Sequence, residues 1–183
     1  MYFADAAVTQ WLNSLAGHAG ILDTAMIWVS SYGVPLMVAA VALQWWTATE
    51  RPRVRHAIVS SGLAFSLGLL LNQIILLGVH RVRPYDQAVT HLLIPPSADW
   101  SFPSDHATAS LAIAATFLLL GLRSRGMAFL AAAMLIGFSR VYLGTHFVSD
   151  IIGAAVTGFA AALAVSMVYR PGSRLDRILT GIL

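Results

Sequence analysis

Charge is absent from long stretches of this chain, and the polar residues between them are gathered into short clusters. Residues 24–49, 57–79 and 151–169 are uncharged and predict helices that cross a hydrocarbon core, which takes about 20 residues. Residues 107–122 and 126–139 fall short of that length. Each reaches it if its helix runs on into the polar cluster beside it, at His106 or Arg140, so the polar chemistry is expected at helix ends near one membrane face. Residues 2–18 place Phe3, Ala7, Trp11 and Leu15 at helical spacing and predict an interfacial helix covering roughly 1–20. Gly33 and Pro35 are expected to kink the first span. Residues 80–105 contain Pro84, Pro95, Pro96 and Pro103 and predict an ordered, largely non-helical cap with one short helix. The expected fold is all-α: a single-domain membrane bundle of five to six helices over residues 1–183, with the site at the outer face.

Composition sharpens this picture. The chain is 58% hydrophobic and 10% charged, with a mean hydropathy of +0.75. Soluble domains carry about a quarter charged residues, so an integral membrane protein is expected. Cysteine is absent, which removes disulfides, thiolate nucleophiles and cysteine-bound metals. All eleven basic residues are arginine. They sit in short loops and are better explained as topology signals and phosphate ligands than as a nucleic-acid patch. With five spans, one face receives Arg51, Arg53, Arg55, Arg123, Arg125, Arg170, Arg174 and Arg177, and the other only Arg81, Arg83 and Arg140. The positive-inside bias makes the richer face cytoplasmic and turns the Arg81, Arg83 and Arg140 face outward, as in a bacterial plasma-membrane protein. The first residues show no basic n-region or clean cleavage signal, so no removable signal peptide is expected.

Ionisable groups at membrane depth are costly and by default mark function. Three clusters qualify: Arg81 to Pro84, Phe102 to His106, and Ser139 to Asp150. His146 and Asp150 are four apart and share a face if that stretch is helical. A carboxylate one turn from an imidazole orients it and supports its positive form, which prepares a histidine nucleophile. His106 is the expected general acid for a leaving group and base for water. Arg83 and Arg140, with Arg81 a weaker third, are the expected phosphate ligands, because the guanidinium fork stays charged and binds phosphate bidentately. Ser104 adds a hydroxyl at a helix N-terminus that favours anions. Asp105 is expected as a helix cap or site support. His18, His56, His80 and His91 lie outside these clusters and are expected in loops or at interfaces. The arrangement requires no metal and no cofactor.

Ser139-Arg140, five residues, His146, three residues, Asp150 resembles the third signature of the type 2 phosphatidic acid phosphatase superfamily. Pro103-Ser104-Asp105-His106 resembles the second, with Asp105 where many members have glycine, and Arg83-Pro84 matches the end of the first. The strings from His91 to Pro95, Ala98 to His106 and Gly137 to His146 look closer still to the BcrC-type undecaprenyl-diphosphate phosphatase branch, which is linked to bacitracin resistance. The resemblance implies metal-independent hydrolysis of a lipid diphosphate, undecaprenyl diphosphate above all, recycling the carrier for envelope polymers. The lysine that opens the first signature is replaced here by Leu76, a gap that Arg81 is placed to fill. Phosphatases for phosphatidylglycerophosphate, phosphatidic acid or lipid A are compatible with the same residues. A non-catalytic lipid-phosphate transporter is the competitor from another class, and it leaves the His146–Asp150 pair unexplained.

Overall fold

The computed structural model describes residues 2–181. Its helices are α1 (Tyr2–Asn13), α2 (Gly20–Thr47), α3 (Arg51–Leu76), α4 (Asp105–Leu119), α5 (Arg123–Tyr142), α6 (Val148–Val168) and the short α7 (Arg174–Thr180). No strand occurs among the described residues. The five expected spans are therefore α2 to α6. Helices α2, α3 and α6 are long and apolar enough to cross a membrane on their own. Helix α4 has only 15 residues and is enclosed, packing against α3, α5 and α6. Both short spans extend as the sequence predicts: α4 begins before His106 and α5 continues past Arg140.

Large apolar side chains such as Leu36, Leu70, Met134, Ile152 and Phe159 stand exposed on the outside of the bundle. That outward apolar surface suits a lipid solvent, where helices associate by close packing rather than by hiding apolar area. Gly158 makes one such approach possible. A Cβ there would lie 2.9 Å from the Thr108 carbonyl oxygen and 3.0 Å from the Ala112 nitrogen, so α6 seats directly on the α4 backbone. Helix α2 continues through Pro35 from Gly20 to Thr47.

The connectors at 48–50 and 120–122 are tight, whereas 77–104 forms the long cap, without the short helix expected there. The cap is ordered by its own bonds. Ser101 N donates to the Arg81 carbonyl at 2.8 Å, and Tyr85 Oη donates to the Ser97 carbonyl at 3.0 Å.

Helix α1 is 12 residues long, about 18 Å at 1.5 Å per residue, and lies against α5 and α6. Phe3 and Trp11 point away from the protein, while Thr9 and Asn13 are buried against it. His56 departs from expectation. Because α3 starts at Arg51, His56 falls inside the helix and is 4% exposed, stacked on Tyr169 with Nδ1 2.8 Å from Asp176 Oδ1. This pairing ties α7 to the bundle end opposite the polar cavity described next.

Candidate active site

Four segments converge at one end of the bundle: the cap, the start of α4, the end of α5, and the α5–α6 linker. They enclose a polar cavity of about 100 Å³ whose walls include Arg83, Asp99, Asp105, His106, Arg140 and His146. That size suits a phosphoryl head rather than a lipid tail. Arg83 of the cap, with Arg140 and His146 from a distant stretch of the chain, is buried: the three are 4%, 8% and 3% exposed, so they are largely withheld from bulk water. In such a site each charge–charge interaction is stronger than it would be in water.

The linker fixes the nucleophile candidate. Helix α6 starts only at Val148, so His146 precedes it and does not share a helical face with Asp150, contrary to the periodicity argument. The His146 ring is oriented differently: Nδ1 lies 2.8 Å from the Ser101 carbonyl oxygen and 3.5 Å from Asp150 Oδ2. A carbonyl only accepts, so Nδ1 carries the proton and the neutral ring keeps its lone pair on Nε2. Nε2 is 3.3 Å from Arg83 Nη1. Burial pushes the His146 pKa down, and Arg140 and Arg83 add to this against the opposing pull of Asp150. Burial and the two arginines thus favour the neutral ring, with Nε2 the unprotonated nitrogen.

Asp150 is fully buried and well satisfied. Its Oδ2 accepts from Ser101 Oγ at 2.5 Å and from Phe147 N at 2.9 Å, the latter anchoring the first turn of α6. Its Oδ1 accepts from Arg81 Nη1 at 2.6 Å. Ser101 thus serves both partners, its carbonyl accepting from the imidazole N–H and its hydroxyl donating to Asp150. Sequence reasoning passed over Ser101, although it sits inside the Ala98 to His106 string.

The guanidinium groups divide by role. Arg140 reaches Ser30 through Nη1, while its buried Nε has no partner. The Ser104 hydroxyl at the α4 N-cap is also buried and unpartnered. Orphaned buried polar atoms are rare and ask for a ligand or water, and a donor and a hydroxyl beside a cationic cavity fit phosphate oxygens. Arg83 is held by the Asp99 carboxylate at 2.7 Å, the Asp99 carbonyl at 3.0 Å and the Thr145 carbonyl at 2.9 Å. Burial alone would raise the Asp99 pKa, but Ser97 and Arg83 outweigh it and keep the carboxylate ionised.

Arg81 does not line the cavity. It is bound to Asp150 and, at 2.6 Å, to Asp5 of α1, with its guanidinium 4.0 Å from the Phe147 ring centroid. The weaker third phosphate ligand is thus a buttress behind Asp150. Nor does it fill the gap left by the family lysine, since Leu76 lines the cavity with an apolar side chain. Asp105 accepts from Asn72 of α3 at 2.7 Å, and Asn72 also donates to Thr108 at 3.0 Å. Asp105 therefore ties the mouth of α4 to α3, and Pro84 is packed fully inside the cap.

A lone pair, two guanidinium groups and a second histidine around one buried cavity at a membrane-bundle end define the class, a membrane phosphatase. Residues 56–173 match the PAP2 superfamily, and the chain belongs to it. Over 145 residues it is 32% identical to undecaprenyl-diphosphatase BcrC of Bacillus subtilis (strain 168), covering 79% of this chain and 74% of that protein. It is 35% identical over 106 residues to phosphatidylglycerophosphatase B of the same organism, 52% of this chain and 50% of that one. Its fold matches the crystal structure of a transmembrane PAP2-type phosphatidylglycerolphosphate phosphatase from Bacillus subtilis, with a TM-score of 0.71, 24% identity, and 94% and 88% of the two chains covered. The chain is a multi-pass membrane phosphatase.

Proposed function

We propose that this phosphatase hydrolyses undecaprenyl diphosphate to undecaprenyl phosphate and inorganic phosphate through a phosphohistidine on His146. The observation that carries the mechanism is the His146 Nε2 lone pair presented beside Arg83 in the buried cavity. Nε2 attacks the terminal phosphorus, and the bond from phosphorus to the bridging oxygen breaks. His106, on the same cavity wall, gives its proton to that oxygen as undecaprenyl phosphate leaves. It then takes a proton from water as the water oxygen attacks the phosphohistidine, releasing inorganic phosphate and restoring Nε2. Arg83 and Arg140, with Ser104, hold the non-bridging oxygens, whose charge dominates phosphoryl transfer.

The lipid assignment rests on the cap strings and on the likeness to undecaprenyl-diphosphatase BcrC. The arginine count supports a site on the outer face of a bacterial plasma membrane, where hydrolysis would recycle the carrier for peptidoglycan and remove the diphosphate that bacitracin binds. Purified protein in detergent should turn over undecaprenyl diphosphate with a kcat/KM at least about tenfold above phosphatidylglycerophosphate, phosphatidic acid and lipid A, a difference of 1.4 kcal/mol in transition-state binding. A higher value for one of the others would reassign the substrate. Stoichiometric binding without released phosphate would instead favour the transporter.

The acid side of the pH profile follows from the site. His146 must be neutral to attack, and its pKa is pushed below the ordinary 6.5. Protonation therefore sets in only at more acidic pH, so the acid limb of kcat/KM, which reports the free enzyme, is expected below pH 6.5. A limb clearly above that value would mean that the cavity does not depress the nucleophile.

A further inference from the structure

Helix α1 carries Asp5, Thr9 and Asn13 four residues apart, a polar stripe opposite its apolar one. Each member holds a part of the site's frame. Thr9 Oγ1 accepts from Val148 N at 3.1 Å, and Asn13 donates to the His91 and Tyr142 carbonyls at 2.9 and 2.7 Å. Asp5 does something different in kind. Its Oδ1 accepts from Ser149 N at 3.0 Å, and its Oδ2 from Ser149 Oγ and from Arg81 Nη2, the latter at 2.6 Å. Through Nη1 the same Arg81 binds Asp150 Oδ1, also at 2.6 Å. Ionised Asp5 is consistent with its surroundings: burial would raise its pKa, but the Ser149 and Arg81 contacts outweigh it and hold it below the usual range.

Taking His146 as the nucleophile, we infer that α1 is a working part of the active site: Asp5 is a positioning residue that, through Arg81, sets how much negative charge Asp150 presents to His146. When Nε2 bonds to phosphorus the ring becomes positive, and Asp150 Oδ2, 3.5 Å from Nδ1, is the carboxylate that stabilises it. Arg81 alone would cancel much of that charge. Asp5 offsets Arg81 from the far side, so the Asp5–Arg81–Asp150 row carries one net negative charge instead of none. The other groups facing His146 are Arg83 from the cap, Arg140 from α5 and His106 from α4, with Asp99 and Asp105 lining the same cavity. Arg83, Asp99, Asp105 and Arg140 bond to partners outside α1, so the α1 effect is separable.

Two substitutions in this row should push His146 in opposite directions. Asp5→Asn leaves the charge of Arg81 on Asp150 unopposed and makes His146 less basic. The acid limb of kcat/KM should move down by about half a pH unit to one unit, and kcat should fall about three- to tenfold. Asp5→Glu should restore both. Arg81→Gln frees Asp150 and should move the limb up. The measurement is pH-dependent phosphate release from undecaprenyl diphosphate by the full chain in detergent, with thermal unfolding recorded for each variant. Unchanged limbs, or limbs moving the same way, would overturn the inference, as would an Arg81→Gln variant that only raises KM, the behaviour of a phosphate ligand. Should Arg81→Gln fail to assemble, Asp5→Asn and Asp5→Glu decide alone. His146→Ala run in parallel separates the two levels. If it is active, the nucleophile assignment itself falls; if it is inactive while the Asp5→Asn limb stays put, only the role of α1 falls.

Discussion

Replacing His146 with alanine should reduce phosphate release by at least about 10³-fold, because the proposed mechanism routes the phosphoryl group through its ring. The size of the loss follows from geometry. The ring, the proposed nucleophile, is held with its Nδ1–H donating to the Ser101 carbonyl and its Nε2 next to Arg83. Water could attack phosphorus directly in the variant, but it would have to enter a space shaped for an imidazole and would lack a positioned base on that side. Stability should change far less than activity. The substitution removes two hydrogen bonds, to the Ser101 carbonyl and from Arg83, worth about 1 kcal/mol each, and the Asp150 network survives because its partners Arg81, Ser101 and Phe147 remain. Phosphate release and thermal unfolding on the same preparation check both halves.

His106→Ala is the second large effect, about 10² to 10⁴-fold for a lost general acid and base. Its signature differs from that of His146→Ala. A leaving group of low pKa, such as para-nitrophenol, departs without a proton, so an activated phosphate monoester that fits the cavity should still phosphorylate His146 in this variant. Hydrolysis of the intermediate still needs the base. A burst of about one nitrophenol per enzyme should therefore be followed by a slow phase, with phosphoenzyme accumulating. Equal loss on activated and natural substrates, with no burst, would place His106 in binding rather than in proton transfer.

The spans were legible because lipid leaves little choice: charge-free runs become helices, and charged residues collect at their ends. The prediction that α4 and α5 extend to His106 and Arg140 succeeded for the same reason. The site's cations and histidines were legible as expensive groups with no structural need at that depth. The contacts between distant segments were less visible. The cap folds back so that the Ser101 carbonyl, nearer than Asp150, accepts the imidazole hydrogen bond, and no periodicity encodes that approach. Arg81 and Arg83 look alike in sequence, yet one meets two carboxylates and the other lines the cavity. Helix α1 was read from its apolar stripe, Phe3 and Trp11, while the polar stripe Asp5, Thr9 and Asn13 carried the same spacing and faced the site. In lipid-facing segments the polar side is the one that points inward, the reverse of the soluble case.

The most direct test is to quench the enzyme in alkali during turnover of undecaprenyl diphosphate labelled on its terminal phosphate, then map the label. An alkali-stable, acid-labile phosphoramidate on His146, absent from His146→Ala, is the result expected. Label on another residue, or turnover at full rate with no trapped phosphoenzyme in either the wild type or His106→Ala, would contradict covalent catalysis by His146.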